Sequence, residues 1–191
     1  MAESDFQRAV LTYAIDALGR FFEKRADAYV SGNLFIYYKK GDPESVVAPD
    51  VFVVFGVPKT KRTSYLLWQE GKAPGFVMEI TSEATQAKDQ GAKRGLYAYL
   101  GVREYFQFDP TGDYLRPPLQ GLNLVGQNYE PLPTLALPDG LSVHSDVLGL
   151  DVRLIDGEMR FYNPATGATL RSLSEAEAEI ERLRAELERL K

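Results

Sequence analysis

The sequence predicts an α/β fold, a mixed β-sheet flanked by helices, followed by a C-terminal helix of different character. Three observations carry this expectation. Short runs rich in β-branched and aromatic residues, "NLFIYYKK", "DVFVVFGV" and "GFVMEI", are each bounded by Gly, Pro or Asp, which favours strand over helix. A helix-patterned segment separates "GFVMEI" from a further strand, "REYFQFD", and that order implies a crossover and a parallel pair. The closing stretch "SLSEAEAEIERLRAELERLK" repeats its apolar residues every seven positions, the spacing of a coiled-coil seam.

In chain order, residues 3–25 place Phe6, Val10, Tyr13, Leu18 and Phe21/Phe22 at mostly helical spacing, so the chain opens with an amphipathic helix. The first three strands follow. A long connection, "VPKTKRTSYLLWQEGKAPG", lies between the second and third, and a connection of that length is functional or has structure of its own. From about Thr85 the pattern becomes helical and runs to Leu100, with Ala92, Leu96 and Leu100 as its apolar line. Gly101 then suits a left-handed cap, with Val102 as the apolar contact after it. Between Thr111 and Thr169 short segments alternate with Gly, Pro, Asp and Asn, and "LDVRLIDGEMRFYN" reads as a hairpin about Asp156-Gly157.

In the last segment Leu173, Ile180 and Leu187 take the a positions and Ala176, Leu183 and Leu190 the d positions. Glu179 and Glu186 at g then face Arg184 and Lys191 at e of a parallel partner, which predicts a homodimer through 173–190. The alternative is a helix folded back on its own domain. The expected organisation is one domain over 1–170 and the heptad helix over 171–191.

Composition narrows the chemistry. The 191 residues are 45% hydrophobic and 12% aromatic, enough for one single-core domain and an appendage. No apolar run reaches the ~20 residues of a membrane span, and "MAESDFQRAV" lacks the layout of a secretory signal; the expected location is the cytoplasm. Zero cysteines and a single histidine, His144, exclude disulfides, thiolate metal sites and two-histidine metal sites. His144 in "LSVHSDVLG" reads as a structural or surface residue, because relays are assembled in space and not from consecutive residues. No G-x-G-x-x-G or G-x-S-x-G occurs, and "GLNLVG" lacks the lysine of a phosphate loop. Net charge is −5, yet eight bases face only four acids between Lys59 and Arg103. That local excess suits phosphate contact, and equally a solvated charged face.

Three positions then stand out. Glu79 interrupts the apolar run Phe76-Val77-Met78 and Ile80, and a buried carboxylate must be paired, hydrogen-bonded or bound to a metal. Asp50 opens "DVFVVF"; if the two strands pair, both carboxylates approach one point at a sheet edge. Magnesium suits such a pair, since it takes oxygen ligands from one or two carboxylates and completes its shell with water and phosphate. Lys93 lies in line with Asp89 and Tyr97 at spacings of four, at the boundary of buried and exposed surface, from which its ammonium can reach a pocket. An ordinary Asp-Lys pair on a surface helix has the same spacing.

The order "APDVFVV", "PGFVMEITSEAT", "KDQGAKRGLYAYLGVREYFQFDP", continued in "LPDGLSVHSDVLGLDVRL" and "RFYNPATGATLRSLSEAEAE", resembles the putative restriction endonuclease family (cyanobacterial-type, DUF820-like) of the PD-(D/E)XK nuclease superfamily. The resemblance implies a restriction-endonuclease-like sheet and an Mg²⁺- or Mn²⁺-dependent endonuclease acting on DNA. It implies Asp50 and Glu79 as metal ligands, joined by the Ile80 carbonyl, with Asp50, Glu79 and Lys93 as the catalytic set. The superfamily's lysine two residues after the acid is Thr81 here, and Lys93 stands where the family places the lysine on the following helix. Asp89 and Tyr97 would fix that lysine, and Lys59, Lys61, Arg62 and Arg94 would contact DNA phosphates. The alternative is a catalytically inactive relative that binds nucleic acid or a partner through the C-terminal coiled coil.

Overall fold

The computed structural model describes residues 5–81 and 89–189, without the side chains of residues 89 and 90. The opening amphipathic pattern becomes helix α1 (Asp5–Phe21), which buries Tyr13, Ala14, Ala17 and Leu18. The strands of the first half are β1 (Ala28–Ser31), β2 (Ile36–Tyr37), β3 (Val46–Val47), β4 (Val51–Phe55), β5 (Tyr65–Leu66) and β6 (Phe76–Ile80). Among them "VPKTKRTSYLLWQEGKAPG" does contain structure, namely β5 and the single helical turn α2 (Leu67–Glu70). After β6, residues 89–93 form a π turn that leads into α3 (Arg94–Leu100), followed by β7 (Glu104–Phe108), β8 (Leu119–Val125) and β9 (Asn128–Pro131). The rest of the chain gives β10 (Thr134–Leu137), β11 (Gly140–Ser145), β12 (Leu150–Ile155), β13 (Glu158–Asn163), β14 (Ala168–Thr169) and α4 (Leu173–Arg189). No helix among the described residues is long and apolar enough to cross a membrane.

The main sheet has the order β1-β4-β6-β7-β8-β9. β6 and β7 are its parallel pair, as the strand-helix-strand order requires, and its other neighbours are antiparallel. Both faces are covered. On one lie α1 and the antiparallel sheet β10–β14, whose Val143, Val152 and Phe161 join Val51, Val53, Phe76, Met78 and Phe106 in one cluster. On the other lies α3, whose Tyr97 packs with Phe52, Val54, Val77 and Tyr105. Burial on both faces explains why "GFVMEI" reads as a continuous apolar run without alternation.

The second sheet is tied to the first by Glu104 at the start of β7, which accepts hydrogen bonds from the Ser145 hydroxyl and the Val147 amide. Burial raises the Glu104 pKa, and these bonds only partly offset it. The predicted hairpin is β12–β13, pairing Ile155 with Glu158 across Asp156 and Gly157, both at positive φ, as a two-residue turn requires.

The crossover helix differs from its sequence pattern. The expected start, 85–88, lies outside the described residues, and the first described turn is π in place of α. Ala92 is exposed and Leu96 and Leu100 are only half-buried, while Tyr97 is the buried residue of α3. Leu96 and Leu100 still pack against the cluster that holds Tyr97, so the face turned to the sheet is centred on Tyr97, with Lys93 one turn before it. The C-terminal end follows expectation: Gly101 is left-handed, its amide bonds Ala98 O, the Val102 amide bonds Tyr97 O, and Val102 is buried.

Candidate active site

Two neighbouring strands put the carboxylates on one face. β4 pairs with β6 so that Val51 opposes Met78, and continuing that register by one residue sets Asp50 opposite Glu79. Because side chains alternate, Asp50 shares the α3-facing side with Phe52, and Glu79 shares it with Val77. The two segments are joined by the Ile80 amide, which donates to Asp50 Oδ2 at 2.7 Å. Gly32 makes room at this corner, since a Cβ there would lie 2.1 Å from the Asp50 carbonyl oxygen.

Glu79 is fully buried. Its Oε2 accepts from Lys93 Nζ at 2.8 Å and its Oε1 from the Tyr97 hydroxyl at 2.5 Å. The helix therefore delivers the lysine to the acid, and the charge interrupting "GFVMEI" is balanced within the protein. Burial, then the Glu79 charge and hydrogen bond, then Tyr105 and Asp50, raise the Tyr97 pKa well above its ordinary value. Tyr97 is thus held as a donor. Its hydroxyl goes to Glu79, the same carboxylate that Lys93 bonds. The Asp89 side chain, expected with Tyr97 to fix the lysine, lies outside the described residues. Lys93 keeps 22% of its side-chain surface exposed, so the cluster meets solvent at its ammonium.

One participant is absent from the sequence reading: Gln7 of α1 donates through Nε2 to the Ile80 carbonyl at 3.2 Å. Nothing in the periodicity of α1 marks it, since a glutamine on a helix face is ordinary. Gln107 is another. It stands opposite Glu79 on β7 and is buried, and the signal that singles out Glu79, a polar residue inside an apolar run, was present in "EYFQFD".

The basic residues are not gathered here. Lys59, Lys61 and Arg62 follow the far end of β4, about four residues of ~3.3 Å each from the Asp50 end. Lys59 Nζ bonds the carbonyls of Phe22 and Glu23. Arg62 forms a two-point ion pair with Glu70 and lies 4.2 Å over the Tyr29 ring. Arg94 is on the right helix but bonds the Tyr129 carbonyl of β9 at 2.8 Å. These contacts of Lys59, Arg62 and Arg94, the residues expected to meet phosphate, tie loops and helix ends to the fold, and Lys61 shares the remote loop.

The donors near Glu79 suit a hard divalent cation. Asp50, Glu79 and the Ile80 carbonyl offer only oxygen, and among the described residues no three His, Cys, Asp or Glu side chains cluster as ligands. Two carboxylates are what Mg²⁺ ordinarily takes from protein, with water filling the rest of its shell. The residues present therefore fit the ion that the sequence led us to expect.

A mixed sheet flanked by helices, with paired acids at the ends of adjacent strands, defines a nuclease-like α/β fold. The chain belongs to the family described as Uma2, "Putative restriction endonuclease", whose model matches residues 1–155. Among solved structures the fold is similar to the crystal structure of "a putative nuclease belonging to DUF820 from Anabaena variabilis ATCC 29413". The two chains are 15% identical, with a TM-score of 0.50 over 72% of this chain and 75% of that one. No curated protein matches the chain.

Proposed function

We propose that the protein is a metal-dependent endonuclease that hydrolyses DNA phosphodiester bonds, with Asp50, Glu79 and Lys93 as its catalytic residues. The observation that carries this reading is the placement of the two carboxylates on one sheet face with the Lys93 ammonium 2.8 Å from Glu79. Asp50, Glu79 and the Ile80 carbonyl are the residues to hold Mg²⁺ or Mn²⁺, which when bound polarises a phosphoryl oxygen and acidifies a water. The chain's own groups keep this arrangement in place. The Ile80 amide fixes the Asp50 carboxylate, Gln7 fixes the Ile80 carbonyl, and the Tyr97 hydroxyl fixes Glu79. Lys93 supplies positive charge where the scissile phosphate gains negative charge. Lys93 on the helix does the work of the lysine that Thr81 replaces in the strand.

A second reading is favoured by one observation. The Lys93–Glu79 pair neutralises the buried acid without a divalent ion, as a binding-only relative would need. Plasmid nicking with Mn²⁺, using purified protein beside the Asp50→Ala/Glu79→Ala double variant, decides between them. Nicking that disappears in the double variant supports the nuclease; equal nicking by both proteins, or none by either, overturns it. The C-terminal helix serves, on this reading, to join two copies into a homodimer.

A further inference from the structure

The level of the sheet that holds the carboxylates continues beyond them. Glu79 of β6 lies opposite Gln107 of β7, and Gln107 lies opposite Gln120 of β8. Asp50, Glu79, Gln107 and Gln120 thus form a polar row across four adjacent strands, on the face covered by α3. Gln120 is satisfied, since its Nε2 donates to the Pro117 carbonyl at 3.0 Å. Gln107 is not. Only 3% of it is exposed, and its Nε2 is a buried donor without a hydrogen-bond partner. One step further along β6, Thr81 is 1% exposed and its Oγ1 is likewise buried and unpartnered. The Thr81 amide bonds the Phe108 carbonyl at 2.7 Å, so the β6–β7 ladder extends to this residue and the alternation of strand side chains puts Thr81 on the same face as Glu79.

Buried polar groups almost always have partners, and leaving such a hydrogen bond unmade is destabilising. Two such groups lie beside the acids, on a face whose other buried side chains in β4 and β6 are apolar, and a bound ligand oxygen would satisfy both. Both are neutral. The amide nitrogen can only donate and the hydroxyl can donate, so the group that satisfies both is an acceptor oxygen. Beside two carboxylates, an oxygen of an anion is held only if positive charge is also near, and Lys93 supplies it at the solvent-facing side of the cluster. A phosphodiester has two non-bridging oxygens. One is polarised by cationic groups, and the other needs a neutral donor that does not compete for the metal.

We propose that Gln107, assisted by Thr81, binds a non-bridging oxygen of the scissile phosphodiester. This rests on the nuclease reading above and extends it to how the substrate is held. Gln107 touches the phosphate directly, while the metal ligands stay as assigned. Thr81, which occupies the position of the superfamily's strand lysine, contributes its hydroxyl in place of a charge.

The test compares full-length wild type with Gln107→Met, which keeps length and volume but has no donor, and with Thr81→Val, which keeps the shape but removes the hydroxyl. Three quantities are read on each: plasmid nicking in Mn²⁺ at varied DNA concentration, Mn²⁺ affinity by calorimetry, and the melting temperature. Loss of a donor aimed at transition-state charge lowers kcat by about 100-fold, so Gln107→Met should fall by that order and Thr81→Val in the same direction. Mn²⁺ affinity should stay within twofold of wild type and the melting temperature should not drop. Gln107→Met nicking at the wild-type rate while wild type depends on Asp50 and Glu79 overturns the Gln107 assignment and leaves the nuclease reading standing. If wild type itself nicks no better than the Asp50→Ala/Glu79→Ala control, both fall together. A Gln107→Met protein that loses Mn²⁺ affinity or melts early, with Thr81→Val unaffected in rate, assigns these residues to structure and overturns the proposal.

Discussion

At the scale of single residues, Glu79 was conspicuous in the sequence because a carboxylate inside an apolar run demands compensation. What compensates it was legible only as a set of candidates. Lys93 could be marked as a boundary residue by its helical spacing, but whether its amine reached the strand depended on a turn geometry that spacing does not encode. With the 2.8 Å contact known, the consequence for stability can be stated. Removing one member of a buried ion pair strands the other charge. Lys93→Met should therefore destabilise the fold by about 3 kcal/mol, toward the low end for broken buried pairs because Lys93 is partly solvated. Glu79→Gln/Lys93→Met should recover most of that loss, although neither protein should nick DNA. Urea unfolding of both variants measures the difference; equal instability would mean that Glu79 draws its compensation from elsewhere. The basic residues teach the reverse lesson. The charge excess between Lys59 and Arg103 is real, yet composition does not reveal which end of a strand a loop follows, and the structure sends Lys59, Lys61 and Arg62 to the end away from the acids.

At the scale of elements, the long strands and α1 were readable because their apolar residues continue over several positions. β3 and β5 have only two residues each and owe their existence to partners brought by the tertiary fold, so no local pattern announces them. The π turn before α3 was equally hidden, since it needs no distinctive residue. A further element emerges at the end of β7, where the turn 109–115 is organised by one side chain. Asp109 is buried and accepts from the amides of Thr111, Gly112, Tyr114 and Leu115 and from the Thr111 hydroxyl. Burial pushes its pKa up, but the amides of Tyr114, Leu115 and Thr111 and the hydroxyl of Thr111 pull it further down, and the result lies below the ordinary 3.8. The folded state therefore prefers the carboxylate. Its stabilisation is complete above the ordinary aspartate range and disappears as pH falls through the lowered value. Asp109→Asn should cost about 1–3 kcal/mol at pH 7, and much less at a pH below that range, where wild type has itself lost the carboxylate. Chemical denaturation at the two pH values checks this, and a pH-independent difference would place the effect in the geometry of the turn.

At the scale of the whole molecule, the sequence led to a sheet with a helical appendage but not to the second sheet: β10–β14 form a meander of consecutive strands, of which only the β12–β13 hairpin carries a clear turn signal at Asp156-Gly157, and local pairing does not reveal that the meander packs with α1 on one face of the main sheet. The appendage itself was legible from its heptads, and the fold-back alternative is realised at one end. Its first turn is bound to the domain. Ser172 and Glu175 form a reciprocal capping box, Arg160 bonds Glu175, and Ala176 is buried. Leu173 in that turn and Ile180, Leu183 and Leu187 beyond it remain between 45% and 61% exposed, an apolar stripe that the domain covers only in part. The carboxylates expected to reach a partner are engaged within the chain, Glu179 with Arg182 at 2.8 Å and Arg171 at 3.8 Å, and Glu186 with Arg182 at 3.8 Å. Exposed pairs of this kind contribute little to stability, so exchanging them for Arg184 of a second copy is nearly neutral, whereas covering the stripe is favourable. A second copy aligned in parallel satisfies both the stripe and the charges. Light scattering after size exclusion should accordingly give a dimer for the full chain and a monomer for Ile180→Glu/Leu187→Glu, with the melting temperature of the domain unchanged because these residues lie past the buried turn. A monomeric wild type would leave the stripe without a self-partner, and a dimer that survives the double substitution would move the interface to another surface.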